Sequence, residues 1–151
     1  MGTWQIYGKA KKKIGNGTIA LNAGVYKIQL HRTSASTTIK VLSTRSLNTS
    51  VAAEISATGG YAAGGKAISA TGWTAGRSAK EFKFKYTTAG IIFTASSASL
   101  KNIRYALLRN STGAGAGHCI AFCTLSTAAF SVTSPNTLTI APHANGVFYL
   151  V

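Results

Sequence analysis

The chain contains few side chains that could carry out acid–base chemistry. Its only acids are Glu54 and Glu81, it has no aspartate, and neither glutamate lies in a catalytic motif. Glycosidases need two carboxylates beside the scissile bond, and phosphoryl-transfer sites usually hold magnesium through Asp or Glu. We interpret Glu81, which leads a lysine-rich strand, as an ion-pair partner. We therefore predict a protein that is not an enzyme and has no catalytic residues.

The histidines and cysteines do not form a pattern typical of a nucleophile or a metal site. His31, His118 and His143 are scattered, and only His118 adjoins a cysteine, Cys119. Consecutive strand residues point to opposite faces, so this pair cannot readily share one site, and structural zinc sites need four ligands. Cys123 follows Cys119 by four positions, about 13 Å along a strand, which is too far for a disulfide. We predict reduced, partly buried thiols, no metal and no cofactor.

A glycine-rich segment, GAGAGH at residues 113–118, could suggest a phosphate-binding loop. Nucleotide-binding glycine motifs lie between a strand and a helix that begins directly after the loop. Residues 119–122 instead have the pattern of a strand, and no Gly-Lys-Ser/Thr sequence is present. We predict a flexible hairpin connection here.

The charge is strongly unbalanced. Sixteen Lys and Arg residues face two acids, which gives a formal net charge of +14 at pH 7. Such a field favours negatively charged partners: nucleic acid, an anionic membrane or an acidic protein surface. No stretch approaches the ~20 apolar residues of a membrane helix, and the first residues lack the apolar core of a signal peptide. We therefore expect no membrane partner and synthesis in the cytoplasm.

Two lysine-rich segments are candidates for binding a negative partner. The run KAKKK at residues 9–13 belongs to a basic N-terminal arm at about 1–17, which is either solvated, with Trp4 and Tyr7 packed onto the body, or an electrostatic anchor. The segment KEFKFKY at residues 80–86 alternates aromatic and basic residues, as in single-strand nucleic-acid binders. Its period of two, however, favours an aromatic core face opposite a lysine face. The predicted partner-binding residues are Lys9, Lys11, Lys12, Lys13, Lys83 and Lys85.

Short apolar runs separated by turn formers predict an all-β fold. We expect one domain over residues 1–151, a single antiparallel β-sandwich of the jelly-roll type with about eight strands. The alternation at 25–32 predicts a half-buried strand with Lys27, Gln29 and His31 on its polar face. The predicted strands cover 25–32, 38–42, 81–86, 90–94, 103–108, 118–125, 137–140 and 147–151. The predicted core contains Tyr26, Ile28, Leu30, Phe82, Phe84, Ile92, Tyr105, Leu107 and Phe122.

Part of the chain resembles a known protein family. Residues 54–68, EISATGGYAAGGKAI, resemble the "E-I-S-G-T-G-Y-x-A-G-G-K-A-L" signature of a family of small tailed-phage virion proteins. Residues 103–108, IRYALL, resemble its "A-R-Y-A-V-I-Y" strand, and 137–140 with 145–150 resemble its last hairpin, "F-T-I-x-W-x-x-x-G-I-L-x-L". The resemblance runs from about residue 54 to the C-terminus. The chain departs from the family by one extra residue within 58–61 and by its basic character.

The resemblance implies a role in the virion. Similar jelly-roll proteins decorate or cement phage capsids, so it implies a homo-oligomer, dimer or trimer, on the outer capsid surface, with the major capsid protein as partner. Flexible segments that become ordered on a partner can wrap a large surface, which suits the basic arm and the glycine loops. The alternatives are a basic nucleic-acid-binding module and another phage structural protein of the tail or head–tail region.

Overall fold

In the part of the chain that the structure describes, the fold is built from antiparallel strands and two short helices. The computed structural model of the chain describes residues 2–22, 24–43, 45–47, 51–68, 72–75, 82–86, 89–142 and 146–150. The helices are α1 (Gly8–Gly15) and α2 (Ser36–Ile39), and short 3₁₀ turns cover Thr33–Ala35 and Gly113–Gly115. The strands are β1 (Trp4–Ile6), β2 (Tyr26–Arg32), β3 (Lys66–Ile68), β4 (Gly72–Ala75), β5 (Phe82–Lys85), β6 (Ile91–Thr94), β7 (Leu100–Asn110), β8 (Cys119–Thr124), β9 (Phe130–Val132), β10 (Thr137–Ile140) and β11 (Phe148–Leu150).

The strands form one large sheet and two smaller ones. The large sheet has the order β1-β8-β7-β2-β3, with β9 pairing the start of β7. The smaller sheets have the orders β11-β5-β4 and β10-β6. All described pairs are antiparallel. The all-β, antiparallel prediction is confirmed, whereas the finer jelly-roll assignment stays a prediction.

The large sheet is buried on both of its faces. One face packs against the two smaller sheets in a first core, whose members include Tyr26, Ile28, Leu30, Phe84, Phe93, Leu108 and Ile140. The other face is covered by α1, α2 and the segment near Val51, which form a second core. The second core contains Tyr7, Ala10, Ala35, Ile39, Val51, Tyr105, Leu107, Cys119 and Phe122. The fold is thus a sandwich with an additional helical layer over its large sheet.

The helical layer explains an error in the prediction for β2. Gln29 and His31 were expected on a polar face, but their exposed fractions are only 3% and 1%. They face Leu107 and Tyr105 across the β2–β7 pair, so they share the face that the second core covers. Lys27, the third residue of this face, is half-buried.

Two predictions about local structure are wrong. Residues 38–42 were predicted as a strand, but Ser36–Ile39 forms α2, because helical spacing lets both Ala35 and Ile39 enter the second core. The segment predicted as an arm forms β1 and α1, whereas the expected packing of Trp4 and Tyr7 onto the body is confirmed by their burial. Within it Tyr7 and Ala10 are buried and Ile14 is half-buried, so the apolar positions follow a helical period that the four lysines obscure in the sequence.

The predicted core is otherwise largely confirmed. Ile92 is the exception, with an exposed fraction of 45%, because Ile91 and Phe93 of the same strand point inward. The side chain of Phe82 lies outside the described part of the structure. The confirmed core residues are Tyr26, Ile28, Leu30, Phe84, Tyr105, Leu107 and Phe122.

Candidate functional site

The N-terminal lysines are fixed on the fold by the strand and helix that carry them. β1 pairs with β8, and the Tyr7 N–H donates to the Ile120 carbonyl at 3.0 Å, so the chain enters α1 against the sheet. The Tyr7 hydroxyl donates to the Ile39 carbonyl at 2.6 Å, which joins α1 to α2. Ala10 is buried beneath the helix, the side turned away from it carries Lys9, Lys11 and Lys12, and Lys13, about one turn after Ala10, lies at the edge of the buried side. Lys9, Lys11 and Lys12 are exposed and Lys13 is half-buried.

Three further cations lie beside the helical layer: Lys40 and Arg45 follow α2, and Arg104 belongs to strand β7. The Arg45 Nε–H donates to the Thr38 carbonyl at 2.9 Å beside α2. Lys40 Nζ and Arg104 Cζ lie 5.7 Å and 5.5 Å from the centre of the Tyr105 ring, within the range of cation–π attraction. The Tyr105 ring belongs to the second core, which this layer covers. We call these seven residues the basic layer: Lys9, Lys11, Lys12, Lys13, Lys40, Arg45 and Arg104.

A β-bulge places Arg104 beside this layer. In the β2–β7 pair, Tyr105 faces His31 and Ile103 faces Arg32, so Arg104 is an extra residue without a partner on β2. Strict alternation would direct Arg104 to the face opposite that of Tyr105, but bulges redirect side chains locally. The bulge therefore allows the guanidinium to approach the Tyr105 ring. Sequence reasoning missed Arg104, Lys40 and Arg45 because no pattern in the sequence links them.

The other two predicted binding residues lie elsewhere. Lys83 and Lys85 are half-buried residues of β5, in the sheet that packs against the opposite face of the large sheet. Phe84 between them faces the first core, where its ring meets that of Tyr26 edge-on at 5.7 Å between centroids. By alternation the two lysines point away from that core. The structure thus brings the α1 lysines together and places Lys83 and Lys85 on a different surface.

The segment that resembles the phage signature folds around a carboxylate. Glu54 Oε1 accepts hydrogen bonds from the Tyr61 hydroxyl at 2.5 Å and from the Gly64 N–H at 2.8 Å. Glu54 Oε2 accepts one from Gln29 Nε2 at 3.2 Å. The Tyr61 hydroxyl in turn accepts from the Leu30 N–H at 3.0 Å. Glu54 therefore ties residues 54–65, which we call the signature loop, to strand β2.

Glycines allow the signature loop to lie directly on neighbouring backbone. Gly65 has a φ of +81°, and a Cβ there would lie 2.2 Å from the Ile28 carbonyl oxygen. Gly59 has a φ of +63°, and a Cβ there would lie 2.1 Å from the Ala98 carbonyl oxygen. Only glycine adopts such conformations without strain and leaves room for the contact. The glycines of the signature thus have a packing role.

The cations of the described surface have almost no internal counter-charge. Glu54 is the only acid in the described ranges, and both of its carboxylate oxygens accept hydrogen bonds within the fold. Glu81 lies outside the described residues, so its predicted ion pair stays a prediction. A surface of this kind attracts anions from outside the chain, and its field is strongest where cations are densest.

The cysteines are structural members of the two cores. Both are free, as predicted, and both are fully buried where partial burial was expected. Burial raises the pKa of Cys119 to about 12 and that of Cys123 to about 11, so both remain protonated thiols at neutral pH. His118, which adjoins Cys119, lies with Nδ1 3.3 Å from the Ser46 hydroxyl. This arrangement does not activate a nucleophile.

The remaining candidate features have structural explanations. Residues 111–118 connect the adjacent antiparallel strands β7 and β8, which confirms the predicted hairpin connection. Among the described residues, no three His, Cys, Asp or Glu side chains lie close enough to hold a metal ion, and no helix is long and apolar enough to cross a membrane. His143 lies outside the described residues.

Comparisons with protein-family models, curated proteins and solved structures find no match to this chain. The resemblance to tailed-phage virion proteins therefore rests on the sequence motifs alone. The geometry adds that Glu54, Tyr61 and Gly64 of the first motif contact one another in the signature loop.

Proposed function

We propose that the protein is a structural virion component that binds the outer surface of a phage capsid through the basic layer. The observation that carries the proposal is the concentration of seven cations over one face of a fold whose only described acid is occupied internally. The resemblance of residues 54–68 to a virion-protein signature supports the same role. The proposed partner is an acidic outer surface of the major capsid protein.

The energetics of such a contact are collective. An exposed ion pair contributes only about 0–1 kcal/mol, so no single lysine of α1 should dominate binding. Seven cations acting together on one acidic surface can contribute several times that amount. Screening weakens them as the Debye length falls from about 10 Å at 0.1 M salt to about 3 Å at 1 M. Binding through this layer should therefore depend steeply on salt.

Electrostatics also constrains how copies of the chain assemble. Two basic layers repel each other, so a dimer or trimer should form through other faces, with the basic layers turned towards the shell. This orientation keeps like charges apart and places them against the acidic partner. The proposed assembly is a homo-oligomer on the capsid, and its subunit number is measurable by analytical ultracentrifugation.

A nucleic-acid-binding module is the second candidate, because phosphates would also neutralise the basic layer. Stacking on the aromatic segment does not support it: Phe84 and Tyr86 have exposed fractions of 0% and 1% and offer no face to a base. A tail or head–tail component would use the same basic layer on a different virion surface. Localisation in purified particles separates these cases.

The first test uses particles of the phage that encodes the protein. Full particles and particles emptied of DNA are separated on a density gradient, and the copies per particle are counted by quantitative mass spectrometry. A shell-binding protein should be present in equal copies in both. Loss of the protein together with the DNA would contradict the proposal and favour nucleic-acid binding.

The second test measures release from particles at rising salt. We compare the wild type with Lys11→Ala/Lys12→Ala in the basic layer and with Lys66→Ala/Lys85→Ala outside it, which removes the same charge. The basic-layer variant should dissociate at lower salt, while the control should follow the wild type. Equal behaviour of the two variants would show that the layer is not the anchor.

A further inference from the structure

A cleft with basic and hydroxyl-bearing walls lies at the end of the large sheet, and none of its described lining residues belongs to the basic layer. Its volume is about 380 Å³, within the range of roughly 300–1,000 Å³ that is usual for small-molecule sites. None of the described residues that line it is acidic. Its polar lining consists of Arg32, Ser56, Thr58, Ser99, Lys101 and Asn102.

Irregular strand pairing shapes this cleft. Arg32 is the last residue of β2, where the bulge shifts the β2–β7 register. The pairing of β7 with β9 also shifts between Leu100 and Ile103, and Asn102 within that stretch has a φ of +61°. Bulges and left-handed residues turn side chains out of the regular alternation and often lie beside binding sites. They bring the ends of two strands to one cleft.

The signature loop supplies the opposite wall. Glu54 and the close contact of Gly59 with Ala98 hold the loop against the sheet, which leaves the hydroxyl-bearing residues Ser56 and Thr58 exposed. The Arg32 Nη2 donates to the Ser56 hydroxyl at 2.5 Å, so the guanidinium is already oriented along the cleft. A guanidinium has five N–H donors, and this hydrogen bond uses only one of them.

We infer that this cleft binds a phosphate group, carried by inorganic phosphate or by a small phosphomonoester. Two cations match the charge of about −1.5 to −2 of a phosphate monoester at pH 7. Several hydroxyl and amide donors beside them suit a group with three or more acceptor oxygens better than a carboxylate with two. The inference is independent of the proposed capsid role, because it rests on residues outside the basic layer.

The test is a titration of the full chain with inorganic phosphate, followed by ¹H–¹⁵N NMR at constant ionic strength. Saturable shifts should be confined to the amides of the cleft, with those of α1 unchanged. Lys101→Ala should weaken binding by at least about tenfold, since it removes a charged donor. Lys12→Ala removes the same charge from α1 and should leave the affinity unchanged.

A second variant tests the cleft without changing any charge. Thr58→Val keeps the side-chain shape and removes one hydroxyl, so it should weaken phosphate binding by about fivefold. A parallel titration with glycerol phosphate shows whether the cleft prefers inorganic phosphate or a phosphomonoester, because the preferred ligand binds more tightly. Non-saturating shifts spread over α1 and the cleft alike would overturn the inference. So would equal losses in Lys101→Ala and Lys12→Ala, or binding of a single-stranded oligonucleotide without binding of either small phosphate.

Discussion

Removing the hydroxyl of Tyr61 tests whether the signature loop stabilises the fold through Glu54. This hydroxyl donates to Glu54 Oε1 at 2.5 Å and accepts from the Leu30 N–H at 3.0 Å. Burial raises the pKa of Tyr61, and the hydrogen bond to Glu54 raises it further, so the hydroxyl remains a donor throughout the accessible pH range. Tyr61→Phe therefore removes two interactions and leaves the ring in place.

The expected loss follows from these two contacts. A hydrogen bond to a charged group contributes about 1.5–3 kcal/mol, and a buried N–H without a partner costs about 1–3 kcal/mol. Both effects belong to one hydroxyl and are not fully additive. Because Glu54 is half-exposed, water can partly replace the hydrogen bond that its carboxylate loses. We expect Tyr61→Phe to lower the free energy of unfolding by about 3 kcal/mol, which corresponds to a fall in Tm of about 6–12 °C.

Tyr26→Phe is the matched control. Tyr26 is as buried as Tyr61, but its hydroxyl makes a single neutral hydrogen bond, to the Ala20 carbonyl at 2.6 Å. Its loss should cost about 1 kcal/mol. Urea unfolding followed by circular dichroism gives both values, provided that the slope with urea is unchanged. If Tyr61→Phe destabilises the chain no more than Tyr26→Phe does, the signature loop does not depend on Glu54.

Three other predictions concern groups that the fold buries or crowds. Burial lowers the pKa of His31 below 6.5, although the Ala52 carbonyl and Glu54 oppose the shift, so the unfolded chain binds the extra proton. The free energy of unfolding should therefore fall as the pH drops below 6.5, by up to about 1.4 kcal/mol per pH unit. In His31→Gln it should fall less steeply, and urea unfolding at several pH values measures the difference. Burial raises the pKa of Cys119 to about 12 and that of Cys123 to about 11. A thiol reagent at pH 8 should therefore label the native chain on the order of a hundredfold more slowly than the urea-unfolded chain. Equal labelling rates would contradict the burial of the two thiols. Gly65→Ala should lower the free energy of unfolding by at least about 2 kcal/mol, because the new Cβ would lie 2.2 Å from a backbone carbonyl oxygen of β2. In the control Gly15→Ala the new Cβ meets nothing within 4 Å, so this substitution should be neutral or stabilising.

The sequence predicts those parts of the fold in which one strand face is apolar and the other is polar. Phe84 between Lys83 and Lys85 is such a case, and its strand and burial are as expected. Gln29 and His31 are polar residues on a buried face, and nothing in the alternation reveals the helices that cover them. Burial there is decided by distant segments, so local patterns cannot predict it.

The candidate site is predictable to a similar extent. Lys9–Lys13 is a visible cluster, but Lys40 and Arg104 join it only through tertiary packing and a bulge. A bulge changes which face a residue occupies without leaving a signature in the sequence. For the same reason the cleft near Lys101 is not visible in the sequence. The resemblance identified the signature loop, while the role of Glu54 as a hydrogen-bond acceptor became clear from the geometry.

The pairing of β1 with β8 has a consequence for how the chain folds during synthesis. Trp4 pairs with Cys123, and β2 pairs with β7, so the large sheet is held together by contacts between segments far apart in the sequence. Such non-local contacts give a high contact order and slow folding, in the range of milliseconds to seconds for comparable β proteins. The early strands therefore leave the ribosome well before their partners, and their apolar faces stay unprotected meanwhile. The strong positive charge of the nascent chain should keep these intermediates apart by mutual repulsion until β8 completes the sheet.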